Sequence, residues 1–339
     1  MSGKEETATG SEMPVDLTCK STDATDVSKL PTVIIVIGMA GSGKTRFVHR
    51  LITHLVSAKK RTYAVNLDPA VNMVPYPCNI DIRDTVNYKE VMKHFQLGPN
   101  GGIMTSLNLF ATRFDQVLGL IDQRAPDLDY IVIDTPGQIE VFNWSASGSI
   151  IVDSLAVAYP TTCVYVTDTV RCLKPVSFMS NMLYACSILY RCKIPLICAF
   201  NKTDVHSADF ALEWMSDFTK YGEALRGETS YISSLSRSMS LVMEEFYGTL
   251  RTTAVSAATG EGFDDFLAKL QDSREEFINL FIPYLQEQAQ SLEDKRQKFI
   301  AERQQEVEKQ FQLKKDQQED PDELEEFRKL FSNNASMAA

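Results

Sequence analysis

The eight residues that directly follow the first apolar run of the chain have the composition of a phosphate-binding loop. Gly38 to Thr45 read GMAGSGKT, which fits the pattern G-x-x-x-x-G-K-[ST], between the apolar segment 32–37 and the helix-like segment RFVHRLITHL. Such a loop exposes backbone N–H groups at a helix N-terminus, where they bind phosphate oxygens. We predict that Lys44 reaches the β and γ oxygens and that the Thr45 hydroxyl binds Mg²⁺. The predicted binding residues are Gly41, Ser42, Gly43, Lys44, Thr45 and Arg46.

A second motif, DTPGQIE, begins at Asp134, where the apolar segment YIVID ends. A carboxylate at the end of a strand can hold Mg²⁺ through water, and Gly137 gives the adjacent backbone N–H room to approach a γ-phosphate. Gln138 follows at a position suited to orienting water, and Glu140 is near enough in sequence to hold that glutamine or the water. A carboxylate that caps the next helix is the alternative for Glu140.

The segment FNKTD, residues 200–204, indicates which base is bound. In an NKxD motif the Asp204 carboxylate accepts hydrogen bonds from N1–H and the 2-amino group of guanine, while Asn201 and Lys202 fix the loop. Adenine lacks this donor pair, so a buried carboxylate would stay unpaired beside it. In the later segment VSA, the Ala257 N–H is available for guanine O6. The motif order predicts GTP and GDP as ligands.

A further carboxylate, Asp68 in NLDPAV, ends the second apolar segment. At that edge it could orient the attacking water or bind a magnesium-bound water, and a simple Asp-Pro turn is the alternative. The acidic and basic segment 80–86 could be a switch loop, but no role is assigned to its residues. Neither Arg46 nor Arg83 is placed by a motif beside the γ-phosphate. Another group must therefore stabilise the charge that develops there.

The elements that must position these residues are apolar, β-branched runs separated by helical segments. Runs of this kind without polar alternation are typical of strands buried on both faces of a parallel sheet. They predict an α/β fold of the P-loop NTPase type, with a three-layer, doubly wound, mostly parallel sheet. The predicted strands are 32–37, 62–67, 130–134, 162–167, 195–200 and 252–257.

Composition narrows the class of protein. A formal net charge of -11 argues against direct binding of nucleic acid, since phosphate recognition needs a basic face. The 7 cysteines form no CxxC pair, and the 4 histidines have no zinc-ligand spacing. This scattered arrangement of the cysteines is typical of reduced thiols in the cytosol or nucleus. The longest apolar run is too short to span a bilayer, so no membrane association is expected.

The two ends of the chain differ in composition from the middle. Residues 1–30 are polar and are predicted to be a disordered leader, followed by a GTPase domain over 31–285. Residues 286–339 are predicted to be a charged tail, either a helical extension or disordered. Apolar residues at helical spacing, including Phe277 and Leu280, are expected to pack on the domain. The segment 324–331 could be a partner-binding helix or a frayed amphipathic end.

One segment, QLGPNGGIMTSLNLF over 96–110, carries no base, nucleophile or metal cluster. Together with GMAGSGKT, NLDPAV, DTPGQIE and FNKTD, it closely resembles the GPN-loop GTPases, a family named for the tripeptide at Gly98, Pro99 and Asn100. The resemblance covers about residues 31–285. The segments WSASGSIIVDSLA and FMSNMLYACSILY, with the long charged tail, are similar to the first paralogue of that family.

The resemblance implies properties that the residues alone do not. It implies a homodimer, or a heterodimer with another GPN-loop GTPase, in which the Gly98–Pro99–Asn100 loop enters the partner's nucleotide site. Asn100 would then act in trans as a neutral hydrogen-bond donor, on a loop that Pro99 and the flanking glycines preorganise. A helix-capping turn with Asn100 in the left-handed conformation is the structural alternative.

The resemblance also implies that Asp68, Gln138 and Glu140 form the hydrolytic set. The expected function is a dimeric GTPase that couples nucleotide state to protein binding in assembly and nuclear import of RNA polymerase II. Polymerase subunits or assembly factors would be its partners, in the cytoplasm and with shuttling to the nucleus. The alternative function is a nucleotide-stabilised binding scaffold with incidental hydrolysis.

Overall fold

A computed structural model describes residues 29–226 and 231–316 of the chain. They fall into two units, one that ends at Phe281 and one that begins at Ile282. The first unit contains a seven-stranded parallel sheet in the order β3-β2-β4-β1-β5-β6-β7. The strands are β1 (Thr32–Ile37), β2 (Thr62–Asn66), β3 (Ile80–Asp81), β4 (Tyr130–Asp134), β5 (Thr161–Asp168), β6 (Leu196–Asn201) and β7 (Arg251–Val255). This confirms the predicted doubly wound α/β fold.

Helices connect the strands. The first seven are α1 (Lys44–Ser57), α2 (Ile82–Thr85), α3 (Tyr88–His94), α4 (Pro99–Ala111), α5 (Phe114–Arg124), α6 (Ile139–Asn143) and α7 (Ala146–Ala158). They are followed by α8 (Pro175–Cys192), α9 (Asp209–Ser216), α10 (Phe218–Ala224), α11 (Tyr231–Thr249) and α12 (Phe263–Glu276). All six strands that the apolar runs predict are present within a residue or two. The edge strand β3 was not predicted, because two residues are too few to form a pattern.

The core explains why the first apolar run forms a strand. All six residues of β1 are buried, because strands pair with it on both sides and helices cover the sheet. Helix α1 packs Phe47 against Phe263 and Phe266 of α12, with ring centroids 5.2 and 5.3 Å apart. Full burial of such a side chain stabilises the fold by about 2 to 3 kcal/mol. The phosphate-binding loop is thus anchored at both ends by buried elements.

The GPN segment is helical from Pro99 onward, which differs from the expected loop. Gly98 is the extended N-cap of α4, and Pro99 occupies its first turn, where its missing N–H is not needed. Asn100 lies in the same turn without a positive φ, so the left-handed capping turn is not observed. The Tyr88 hydroxyl donates to the Pro99 carbonyl at 3.2 Å. The tripeptide is therefore held exposed at the start of a helix.

Of the two glycines that follow, Gly102 serves packing rather than flexibility. A Cβ on Gly102 would lie 2.5 Å from Met92 Cγ and 2.9 Å from Tyr88 Cε2, whereas a Cβ on Gly101 would meet Leu97 at 3.5 Å. Gly102 is buried, and its missing side chain lets α3 approach α4 closely.

Replacing each of these two glycines by alanine should therefore give opposite results. We expect Gly102→Ala to lower the free energy of unfolding by about 1 to 3 kcal/mol through overpacking. Gly101→Ala, the matched control, should be neutral or stabilising by up to about 1 kcal/mol from helix propensity. Urea unfolding monitored by circular dichroism measures both. Equal effects of the two substitutions would contradict this account of α4.

The second unit contains α13 (Ile282–Asp316), a helix of 35 residues in the described range, so the predicted helical extension is confirmed. Before it, a π-helical segment spans Phe277–Phe281. Phe277 is buried as expected, but the prediction for Leu280 was wrong, since it is 66% exposed. None of the described helices has the length and apolarity of a membrane span. Residues 1–28 and the segment 324–331 lie outside the described range, and the proposed domain boundaries remain predictions.

Candidate active site

The motif residues meet at one edge of the sheet because every strand of it runs in the same direction. The phosphate-binding loop follows β1, Asp68 follows β2, and Asp134 ends β4. The NKTD and VSA segments begin at the ends of β6 and β7. In open parallel sheets this carboxyl edge is where ligands bind. The fold therefore places all five predicted segments on a single edge.

Within the phosphate-binding loop, two glycines have backbone conformations that other residues rarely adopt. Gly41 has φ +79° and Gly43 has φ +94°, and a Cβ on Gly43 would lie 2.7 Å from Asn201 Nδ2. Gly43 is also the N-cap of α1, and it provides no side chain to occupy the first N–H groups. The start of α1 is thus suited to bind a phosphate, as predicted for Gly41 to Thr45.

Lys44 is buried and directed at its own loop. Its Nζ donates to the carbonyl of Gly38 at 2.7 Å and to that of Met39 at 3.1 Å. Burial lowers the pKa of the ammonium, and the nearby carboxylates of Asp134 and Asp68 oppose that shift. To contact β and γ oxygens, the side chain must exchange these carbonyl contacts for the ligand.

Asp134 is the most deeply buried carboxylate of the site, at 1% exposure. Its Oδ2 accepts from the Tyr76 hydroxyl at 3.0 Å, and its Oδ1 has no hydrogen-bond partner in the described part of the chain. Burial raises the pKa of Asp134 to about 6, although Tyr76, the nearby Thr45 hydroxyl and Lys44 favour the ionised form. An unpartnered, buried carboxylate oxygen close to a threonine hydroxyl fits a Mg²⁺ ion, which prefers oxygen ligands.

Asp68 bridges two of the motifs. Its Oδ1 accepts from Ala70 N at 2.9 Å, as in the Asp-Pro turn that was the alternative, and its Oδ2 accepts from Gly137 N at 3.3 Å. The turn and the functional role are therefore compatible. In this structure the N–H of Gly137 itself donates to a carboxylate, whereas the prediction concerned the adjacent backbone N–H, for which Gly137 leaves room.

Residues 80–86, to which no role was assigned, fix the loop that carries Asp68. The Arg83 guanidinium pairs with Asp81 at 2.6 Å and donates to the carbonyls of Val71 and Asn72 at 3.2 and 3.1 Å. Asn66 Nδ2 donates to Asp81 at 3.1 Å. Each of the three guanidinium nitrogens of Arg83 thus takes part in holding a loop.

Three predicted residues lie at the surface of this region. Gln138 is half-buried and is the N-cap of α6 without a side-chain capping bond, whereas Glu140 is exposed in the first turn of α6. A carboxylate in that turn also stabilises the helix, so both interpretations of Glu140 remain open. Arg46 is exposed in the first turn of α1.

Asn201 joins three loops. Its Nδ2 donates to the Ser42 carbonyl at 3.0 Å, and its Oδ1 accepts from Lys202 N at 2.8 Å and from Ala257 N at 3.1 Å. The Ala257 N–H is therefore not free in this structure, so guanine O6 would have to share or replace Asn201 as its acceptor. Arg50 of α1, a residue without a sequence signal, donates to the Ala257 carbonyl at 3.2 Å.

Asp204 differs from the buried carboxylate that the sequence argument assumed. It is exposed, and its Oδ1 accepts from the Ser256 hydroxyl at 2.6 Å. The carboxylate is therefore oriented before any base arrives. Discrimination against adenine must arise when a bound base covers Asp204, because only a desolvated carboxylate is strongly penalised for lacking a partner.

Asp168, which ends β5, is the main residue that sequence reasoning missed. Its buried carboxylate accepts from Lys202 Nζ at 2.6 Å and lies 3.5 Å from Arg171 Nε. Lys202 also donates to the Gly41 carbonyl at 3.0 Å, and Arg171 Nη1 donates to the Ala40 carbonyl at 2.9 Å. One carboxylate thus positions two cations on the phosphate-binding loop. Its place at a strand end is the signal that could have found it.

Comparison with known proteins shows which protein family this chain resembles. A family model described as "Conserved hypothetical ATP binding protein" matches residues 36–276. A protein named GPN-loop GTPase 1 from Dictyostelium discoideum is 54% identical over 269 residues, covering 79% of this chain and 68% of that protein. A protein of the same name from Schizosaccharomyces pombe is 56% identical over 267 residues, covering 75% of this chain and 73% of that protein.

A solved structure supports the fold. A GTPase from Pyrococcus abyssi, crystallised in its apo form, superposes with a TM-score of 0.64 at 28% identity, covering 71% of this chain and 97% of that one. The family description mentions ATP, whereas these three proteins are named as GTPases. The resemblance that the motifs indicated, including that to the first paralogue, is confirmed.

Proposed function

Since the chain belongs to the GPN-loop GTPases and is a GTP hydrolase, we propose that it works as a dimer that couples its nucleotide state to a protein partner. The observation that supports sensitivity to the nucleotide state is the 3.3 Å contact between Gly137 N and Asp68 Oδ2. A γ-phosphate oxygen would compete with Asp68 for that N–H, and GDP has no such oxygen. The DTPG segment can therefore respond to the difference between GTP and GDP.

The hydrolytic step that we propose uses residues already at the sheet edge. Water attacks the γ-phosphorus, the bond to the β-γ bridging oxygen breaks, and the products are GDP and inorganic phosphate. Asp68, once it leaves Gly137, orients the water together with Gln138, and Glu140 supports that glutamine. Lys44 moves from its loop carbonyls to the phosphate oxygens. Together they stabilise the charge that develops on the transferred group.

Mg²⁺ belongs to this proposal because the donor atoms fit it. Thr45 would supply a hydroxyl and Asp134 the carboxylate oxygen that has no partner in the described region. The described residues contain no cluster of three histidine, cysteine or acidic ligands, which agrees with an ion held mainly by substrate phosphates and water. When bound, the ion would offset charge on the β and γ oxygens.

Asn100 is proposed to complete the site of a second subunit. Together with Gly98 and Pro99 it is exposed at the start of α4, and no side-chain hydrogen bond holds it within the described part of this chain. A neutral amide presented on a helix is preorganised for a target outside its own subunit. The second subunit would be another copy of this chain or another GPN-loop GTPase.

The route from the switch to a partner would run through α6. That helix begins directly after Gln138 and ends beside Trp144, which is 45% exposed and stacks on Tyr184 of α8 with ring centroids 5.7 Å apart. Movement of the DTPG segment would displace this aromatic surface. Exposed aromatic side chains are common anchors in protein interfaces.

The partners we propose are RNA polymerase II subunits or assembly factors, in assembly and nuclear import of the polymerase. Support comes from the resemblance to the first paralogue of the family. A cytoplasmic protein that shuttles to the nucleus agrees with this role, as does a net charge of -11, which disfavours direct nucleic-acid binding. The alternative is a scaffold that nucleotide merely stabilises.

Partner affinity in the two nucleotide states tests the proposal. With purified RNA polymerase II as the probe, we expect the Kd with a non-hydrolysable GTP analogue and with GDP to differ by about tenfold or more. Biolayer interferometry at saturating nucleotide measures it. Equal affinities in both states would favour the scaffold, because a ligand that binds both states equally shifts nothing.

A further inference from the structure

A cavity of about 430 Å³ lies beside the phosphate-binding loop, between that loop, the segment after β5 and the first turns of α8. Its walls include Met39, Ser42, Asp168, Arg171, Lys174 and Ser177. We propose that this cavity binds inorganic phosphate as a second anion, separate from the phosphates of the nucleotide. The nucleotide is expected on the backbone N–H groups of the loop, whereas side chains and α8 line this cavity.

The charge of the lining favours an anion. Asp168 is the carboxylate among the lining residues, and its charge is offset by Lys202 at 2.6 Å and Arg171 at 3.5 Å. Lys174 adds a further cation that forms no ion pair within the described residues and is exposed. Arg171 is 62% exposed and uses one nitrogen on the Ala40 carbonyl, so its fork has donors left for an oxyanion.

Helix α8 contributes backbone donors. It spans 18 residues from Pro175 and begins without a side-chain cap. The N–H groups of Val176 and Ser177 therefore have no acceptor inside the helix, and the helix dipole adds partial positive charge at this end. Ser177, which also lines the cavity, lies in that first turn.

A buried hydroxyl gives independent evidence for a polar ligand. Ser42 is 1% exposed, lines the cavity, and its Oγ has no hydrogen-bond partner in the described part of the chain. Burial of an unpartnered hydroxyl is unfavourable, so such groups are normally satisfied by water or a ligand. Phosphate offers acceptor oxygens to Ser42, Arg171, Lys174 and the helix N–H groups together.

The established reaction supplies this ligand. Each turnover releases one phosphate at the phosphate-binding loop, and the cavity adjoins that loop through Met39 and Ser42. Phosphate held here would lie against Arg171, which donates to the loop carbonyl of Ala40. Occupancy would thus be sensed by the loop that binds the next GTP.

The test is a phosphate titration of full-length protein saturated with a non-hydrolysable GTP analogue and Mg²⁺, so that the nucleotide site is filled. Equilibrium dialysis with radiolabelled inorganic phosphate, at constant ionic strength, should give one bound phosphate per chain. Lys174→Ala should weaken phosphate binding by about tenfold or more, since it removes a charged donor. Lys174→Arg should retain binding. Lys60→Ala, which removes another exposed lysine, is the matched control and should leave it unchanged.

Two results would overturn the proposal. Without saturable phosphate binding to the analogue-loaded protein, the cavity holds only water. If Lys174→Ala and Lys60→Ala weaken binding equally, the effect is one of general surface charge. All three variants should bind the GTP analogue with wild-type affinity, which separates this site from the nucleotide site.

Discussion

Asn100→Ala is expected to lower kcat for GTP hydrolysis by about 10²- to 10³-fold. This is the usual effect of losing one preorganised hydrogen-bond donor that stabilises negative charge in the transition state. GTP affinity should change little, because Asn100 is exposed and forms no side-chain hydrogen bond within the described part of its own chain. Steady-state phosphate release and nucleotide titration measure the two quantities. Asn108→Ala, which changes another exposed residue of the same helix, is the matched control and should retain activity.

Mixing two inactive variants distinguishes action in trans from action in cis. Asp68→Asn should also be inactive, since it removes the proposed water-orienting carboxylate, but its GPN tripeptide is intact. A mixed dimer would contain one complete site, built from the Asp68 of one chain and the Asn100 of the other. With random exchange of subunits, about a quarter of wild-type activity should return in an equal mixture.

The trans role would be contradicted if the mixture stayed inactive although the subunits exchange, as followed by energy transfer between labelled chains. It would also be contradicted if Asn100→Ala hydrolysed GTP at the wild-type rate. In that case the scaffold alternative gains support.

Asp204→Asn is expected to change base specificity. The amide keeps an acceptor for N1–H, but it presents a donor to the 2-amino group of guanine, so GTP affinity should fall by about 10²- to 10³-fold. Xanthosine triphosphate has a carbonyl at that position, so its affinity should rise. Ser256, which orients Asp204 at 2.6 Å, is unchanged in this variant. Competition against a fluorescent nucleotide measures both affinities.

Asp209→Asn is the matched control for that experiment. It removes the same charge from a nearby exposed aspartate whose carboxylate accepts from the Ser207 hydroxyl, and it should leave both affinities unchanged. If Asp204→Asn lost GTP affinity without gaining any for the xanthine nucleotide, Asp204 would support the loop rather than read the base. ATP binding as tight as GTP binding in the wild type would exclude guanine recognition by this residue.

The sequence by itself determined the fold class and where the motifs lie. Buried parallel strands are continuous apolar runs, so the bounds of the strands at 32–37 and 130–134 could be predicted accurately. Once their order and direction were known, residues at the strand ends had to meet at one edge. Short-range patterns therefore sufficed to collect Lys44, Asp68 and Asp134 into a single candidate site.

Only the tertiary structure decided which partner each group has, because those partners come from distant parts of the chain. Tyr76 donates a hydrogen bond to Asp134, and Arg171 donates one to the Ala40 carbonyl, but no sequence spacing predicts either contact. Gly102 is required by the close crossing of two helices rather than by a flexible loop. Asp204 proved exposed, since burial depends on all surrounding elements. Local pattern places residues along strands and helices, whereas contact, burial and charge pairing depend on how those elements pack.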